Sequence, residues 1–221
     1  MKKLAFVIGL LLLVSMFCMV IASCIGSGEV LETIPAEWHA KQASELNEQG
    51  LYDEAIEECN KAIELDPNYA MAYNNRGVAY HRKWQFDLAI ADYDKAIELD
   101  PSYINAYYGR AWVYADKGQW DLSIADNTKA IELDPNYAMA YNNRAWCYYK
   151  EGQFDLAIAD YDKAIELDPN YLFAYNNRAW AYKLQGKNAE AIANFETFIT
   201  LTDNPQWIET ARQEIEALQG Q

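Results

Sequence analysis

The string Lys61-Ala62-Ile63-Glu64-Leu65-Asp66-Pro67 returns unchanged at 95–101, 129–135 and 163–169, each copy 34 residues after the last. A second string, Asn-Tyr-Ala-Met-Ala-Tyr-Asn-Asn-Arg, stands at 68–76 and again at 136–144, two periods apart. Repetition at one fixed period of this length marks a solenoid built from one supersecondary unit. Within the unit 138–171, Tyr141, Ala145 and Tyr148 fall on one face of a first helix, at i, i+4 and i+7. Gly152 then supplies a permissive turn. Phe154, Ala157, Tyr161 and Ala164 line a second helix at the same spacing. Asp168-Pro169 ends it, because a residue before proline avoids the helical region. One helix pair of this kind cannot cover its own apolar face, whereas a neighbouring copy can.

The order aromatic, small residue, Tyr, turn Gly, Ala, aromatic, Ala, Pro resembles the tetratricopeptide repeat (TPR). The resemblance implies an all-α fold, a right-handed α-solenoid of five units with a C-terminal capping helix. The units are 36–69, 70–103, 104–137, 138–171 and 172–205, and the cap is 206–221. Departures from the pattern are His39, Leu46 and Cys59 in the first unit, Trp84 at the turn glycine of the second, and Asn127 at a second-helix aromatic position of the third. In the fifth unit Phe198 replaces an expected Ala and proline is delayed to Pro205. Asn204 and Pro205 suit the cap and first position of the last helix.

The chain has 221 residues, 52% of them hydrophobic and 23% charged, so it is neither a disordered tail nor a polytopic membrane protein. Lys and Arg number 18 against 33 acids, for a net charge of −15. Such a surface repels phosphate backbones, which argues against nucleic acid as a partner. The N-terminus reads separately. Lys2 and Lys3 precede nineteen uncharged residues, Leu4 to Ala22, and then Ile21-Ala22-Ser23-Cys24. Basic start, apolar core and small residues form the order of a secretory signal. The last four residues (21–24) resemble a bacterial lipobox, which implies lipidation of Cys24 after removal of residues 1–23. An uncleaved anchor, since nineteen residues reach about 28 Å, and plain secretion are the other readings. Residues 24–35 form a short tether. The expected place is therefore a membrane of the cell envelope, on its extracytoplasmic side. Cys59 and Cys147, more than two units apart, read as buried free thiols. His39 and His81 are isolated, and no Cys/His cluster has metal-ligand spacing.

The TPR resemblance implies that the first helices line a concave groove. The ninth position of successive units reads Ser44, Val78, Trp112, Trp146, Trp180. Helix packing alone does not demand three tryptophans in register, and tryptophan is enriched at interface hot spots. The sixth position reads Lys41, Asn75, Gly109, Asn143, Asn177, and the fifth includes Tyr108. An asparagine amide both donates and accepts, so Asn75, Asn143 and Asn177 are candidates to bond an extended peptide backbone. The file is similar to the asparagine ladder of the superhelical repeats of a nucleocytoplasmic sugar transferase, with Gly109 as a break. The competing reading has these amides bonding helix carbonyls and the indoles filling gaps. Arg76, Arg110, Arg144 and Arg178 share the seventh position, and Asp92, Asp126 and Asp160 recur in the second helices. An always-charged group near a packing face needs an acceptor, so these predict an Arg–Asp ladder.

No phosphate-cradling glycine loop, nucleophile elbow or usefully spaced His–acid pair is present, so the chain is expected to be no enzyme, with neither cofactor nor metal. The leading expectation is a protein-interaction scaffold holding an extended peptide or partner helix along Tyr108, Trp112, Trp146 and Trp180. The alternative is a structural subunit of an envelope or pilus assembly machine, or a self-associating scaffold. The anchor reading has a direct check. Cys24→Ser should release the chain from the membrane fraction or block its processing, seen by fractionation and intact mass. An unchanged fraction and mass would leave only the uncleaved segment.

Overall fold

A computed structural model describes residues 34–220. The expected leader (1–23), Cys24 and all of the tether but its last two residues lie outside the described residues. Among those described there are eleven helices and no strand. Five first helices, α1 (Ala36–Glu48), α3 (Ala70–Arg82), α5 (Ile104–Asp116), α7 (Ala138–Lys150) and α9 (Leu172–Leu184), alternate with five second helices. These are α2 (Tyr52–Leu65), α4 (Phe86–Leu99), α6 (Trp120–Leu133), α8 (Phe154–Leu167) and α10 (Asn188–Thr200). A last helix, α11 (Pro205–Gln219), follows. Each helix packs on its sequence neighbours, and first helices touch the first helices of adjacent units. The result is an α-solenoid of consecutive helix pairs.

Local chemistry accounts for the chain reversals. Gly50, Gly118, Gly152 and Gly186 adopt φ of 71–77° between the two helices of a unit, a region open to glycine and costly for other residues. Between units, Asp66, Asp100, Asp134 and Asp168 leave the helix with φ near −136°, as the following proline demands. Each Asp carboxylate then accepts from the backbone N–H two residues on, at 2.9–3.0 Å, which closes an Asx turn. Asn204 caps α11, accepting from the Gln206 and Trp207 N–H groups at 3.0 and 3.2 Å.

The core is a seam of alanines and rings. Ala55, Ala62, Ala89, Ala96, Ala130, Ala157 and Ala164 of the second helices are fully buried, as are Ala43, Ala79, Ala111, Ala145 and Ala179 of the first. Small faces on both helices allow close backbone approach, and burial of Tyr93, Tyr161 and Phe195 fills what remains. Cys59 and Asn127 take the place of those rings in the first and third units and are equally buried. Asn127 is satisfied there: its amide donates to the Ser123 carbonyl at 2.9 Å, and Asn143 donates to its oxygen at 3.4 Å. Cys59 and Cys147 are free and buried, as expected. Burial pushes their thiols up to about 12 and about 11, so neither is a reactive thiolate at neutral pH.

The Arg–Asp ladder is present. Arg76, Arg110 and Arg144 each donate two bonds to Asp92, Asp126 and Asp160 of their own second helix, at 2.7–2.9 Å. The remaining nitrogen reaches back to the preceding second helix, at Asn60, Asp94 and Thr128 respectively. Arg178 donates a single bond to Asn194 of its second helix, at 2.8 Å, and reaches back to Asp162. Tyr73, Tyr107, Tyr141 and Tyr175 lie under these guanidinium groups at 5.5–5.8 Å. Burial opposes the charge on Arg110, but its carboxylate bonds hold it above its ordinary value.

Two turn and seam residues generate predictions. A Cβ on Gly109 would stand 2.6 Å from the Tyr93 ring carbons. Gly109→Ala should therefore destabilise the fold by about 1–3 kcal/mol in urea unfolding. Tyr93→Phe should not rescue it, because ring carbons as well as the hydroxyl are in the way. Trp84 is the one described non-glycine residue at positive φ, 61°, in the turn that the other units build with glycine. A bulky side chain there costs about 1–2 kcal/mol, part of which glycine returns through its freer unfolded state. Trp84→Gly should raise stability by about 0.5–1 kcal/mol, read as a higher thermal midpoint; a lower midpoint would show that the indole is a packing residue.

Candidate functional site

Helix geometry sends every ninth-position side chain toward the face that the first helices share. Trp112 on α5 is 37% exposed and meets Tyr108 edge-on at 6.3 Å. Trp146 on α7 and Trp180 on α9 are half-buried. Trp146 stands edge-on to Trp120 at 5.2 Å with Lys150 Nζ over its ring at 5.3 Å. Trp180 stands edge-on to Phe195 at 5.6 Å with Lys183 Nζ at 4.7 Å. None of the three indoles is sealed in the stack.

Three cavities open along this face. The largest, about 840 Å³, lies across α1, α3 and α5 and is lined by Tyr108, Trp112, Asn75, Val78, His81, Arg82 and Trp84, among others. A second, about 360 Å³, lies between α7 and α9, with Trp146, Tyr149, Tyr161, Asn177 and Trp180 on its walls. A third, about 310 Å³, is enclosed by Phe173, Trp180, Phe195, Phe198 and Trp207, on α9, α10 and α11. The last two share Trp180 and Asn176 and carry no charged lining. They offer aromatic area to apolar groups, together with amide donors and acceptors.

The asparagine file sits differently from the expected ladder. Asn75 Nδ2 donates to the Ala40 carbonyl at 2.8 Å. Asn143 is 1% exposed, and its donor goes to Asn127. Asn177 Nδ2 donates to Asn142 Oδ1 at 3.3 Å. These sixth-position amides point into the seam between units and bond protein, which is the competing reading. Asn75 and Asn177 still border cavities; Asn143 does not. Asn176, one residue from Asn177, is the amide that lines both C-terminal cavities.

Residues outside the periodic reading complete the face. His81 Nε2 pairs with Asp116 Oδ2 at 2.7 Å across the largest cavity. Arg82 is exposed beside it, and Trp84 stands 74% exposed at its rim. Phe173 and Trp207 meet at 5.8 Å over the third cavity. The available signal for Trp84 and Arg82 was their departure from the repeat, since the same positions elsewhere hold other residue types.

The family described as "Tetratricopeptide repeat" matches residues 70–103, 104–137 and 138–171. A second description, "TPR repeat", matches 43–83, and a further tetratricopeptide repeat matches 160–193. Among curated protein sequences none matches. Among solved structures, the MamA protein is 26% identical with a TM-score of 0.63, over 75% of this chain and 91% of that one. YrrB, described as a TPR protein with an unusual peptide-binding site, is 23% identical with a TM-score of 0.62, over 79% and 90%. Pseudomonas aeruginosa pilF is 15% identical with a TM-score of 0.73, over 83% and 88%. Matches to one repeat family thus run from residue 43 to residue 193, on a stack of helix pairs of the same kind, and the chain belongs to the tetratricopeptide repeat family.

Proposed function

We propose that the chain is a non-catalytic interaction scaffold whose first-helix face takes an extended peptide or a partner helix from another protein. The observation that carries this is the file of accessible indoles, Trp112, Trp146 and Trp180, each on the wall of a cavity. Aromatic side chains buried on binding give large area at small entropic cost, and they dominate interface energetics. The proposed place of action is a membrane of the cell envelope, outside the cytoplasm, with Cys24 as the lipid attachment point. That part rests on the N-terminal sequence alone.

A second reading has its own observation. Leu88, Leu122 and Leu156 recur at one position of α4, α6 and α8, each 46–50% exposed. A file of exposed leucines on the second helices favours a self-associating scaffold or a structural subunit of an assembly machine.

One pair of variants separates the readings. Trp146→Ala with Trp180→Ala should abolish capture of the partner from solubilised envelopes while helical circular dichroism stays near wild type. Leu122→Lys should leave that capture intact. Capture retained by the tryptophan variant, or a lower sedimentation mass for the Leu122→Lys chain, would move the assignment to the second helices.

A further inference from the structure

We infer that the largest cavity is a receptor site for a peptide segment that carries an acidic side chain next to a large apolar one. Its carboxylate sits on Arg82 and its apolar group against Trp84 and Trp112. This deepens the groove reading above and depends on it.

In a chain whose units copy one another, residues common to all units are explained by stacking. Residues that break the copy need another reason. Arg82 holds the thirteenth position of its unit, where the others have Glu48, Asp116, Lys150 and Leu184. Trp84 holds the fifteenth, where the others have glycine. Both line the same cavity. Trp84 meets Phe86 at 5.6 Å, but neither side chain makes a hydrogen bond or ion pair among the described residues. Trp84 is 74% exposed and sits at positive φ, a conformation that tends to persist where function asks for it.

Arg82 has no acidic partner among the described residues, although the chain has 33 acids. Its neighbours in the chain do pair: His81 bonds Asp116, and Lys83 bonds Asp53. The cavity therefore holds a guanidinium without an acidic partner, among aromatic rings, amides and the His81–Asp116 pair. Asn74 Oδ1, in the same wall, is buried with no hydrogen-bond partner among the described residues. A peptide N–H would satisfy it.

Charge decides the class of ligand. A net charge of −15 repels multiply charged phosphates and nucleic acid at long range. A single carboxylate meets one local cation here and gains contact area from the flanking indoles. Arg also matches carboxylate geometry better than a point charge does.

The test pans a displayed library of random short peptides against the full chain and measures binding of a selected peptide to variants. Enrichment of Asp or Glu beside a large apolar residue is expected. Arg82→Gln should bind the selected peptide about fivefold more weakly, as for an exposed charge pair. Trp84→Gly should lose about tenfold or more, as for an aromatic anchor, while its helical circular dichroism is unchanged. Added salt screens the chain's overall repulsion of the peptide in both proteins and the Arg82 contact only in the wild type, so it should improve binding to Arg82→Gln more than binding to the wild type. Selected peptides without acidic preference, unaffected by Arg82→Gln but lost in the Trp146→Ala, Trp180→Ala chain, would overturn this proposal and keep the groove reading. No enrichment at all would overturn both.

Discussion

Each seventh-position arginine ties three helices with one planar group. Arg110, on α5, grips Asp126 of its own second helix through two nitrogens and Asp94 of the preceding second helix through a third. The helix pair and its junction to the pair before it are thereby held by the same side chain. Alanine seams provide closeness but little direction, since dispersion and area are insensitive to modest sliding. A guanidinium fork is directional. It sets the register in which one pair stacks on the next, and the register decides which side chains face the groove. The ring of a tyrosine three residues upstream covers the guanidinium and lowers the cost of holding a charge at a half-buried junction.

The ladder was legible in the sequence because the constraint behind it is absolute. An arginine does not discharge by losing its proton, so its recurrence on a packing face demands a recurrent acceptor. Helix pairs and turns were legible for a similar reason: the Asp-Pro stop and the turn glycine have no other common use at that spacing. Even the fifth unit obeys, with Asn194 accepting where the second, third and fourth units have Asp.

The asparagines were not legible in the same way. Consecutive residues on a helix point about 100° apart, so one step along the chain turns a side chain from groove to seam. The period identifies Asn176 and Asn177 as a pair but says nothing about which of them faces out. That choice depends on how closely the next unit approaches, which the alanine seam and the arginine fork decide together. Asn143 is buried for this reason, and it finds Asn127, whose polar side chain had looked like a defect in the second-helix pattern.

The wall of the first cavity is shaped in part by a large residue in the seam. Tyr93 is 1% exposed and lies between the second and third units. Its ring leaves contact distances of 3.0 Å to a Cβ on Gly77 and 2.6 Å to one on Gly109, so a side chain at Gly109 would force the ring to move, whereas one at Gly77 would need a shift of a few tenths of an ångström. Gly109 also lines the first cavity. Where Asn143 and Asn177 put an amide, the third unit has none, and Tyr93 itself becomes part of the wall. The recess measures about 840 Å³ against about 360 and 310 Å³ further along, and the bare backbone of Gly109 in its wall is a product of core packing. Tyr161 fills the same seam position in the fourth unit, and there the wall of the smaller cavity has Asn177 at the position that Gly109 holds in the larger one. A packing choice made inside the stack thus shows at the groove surface. The non-repeating residues Arg82, Trp84 and Tyr108 gather around this largest recess.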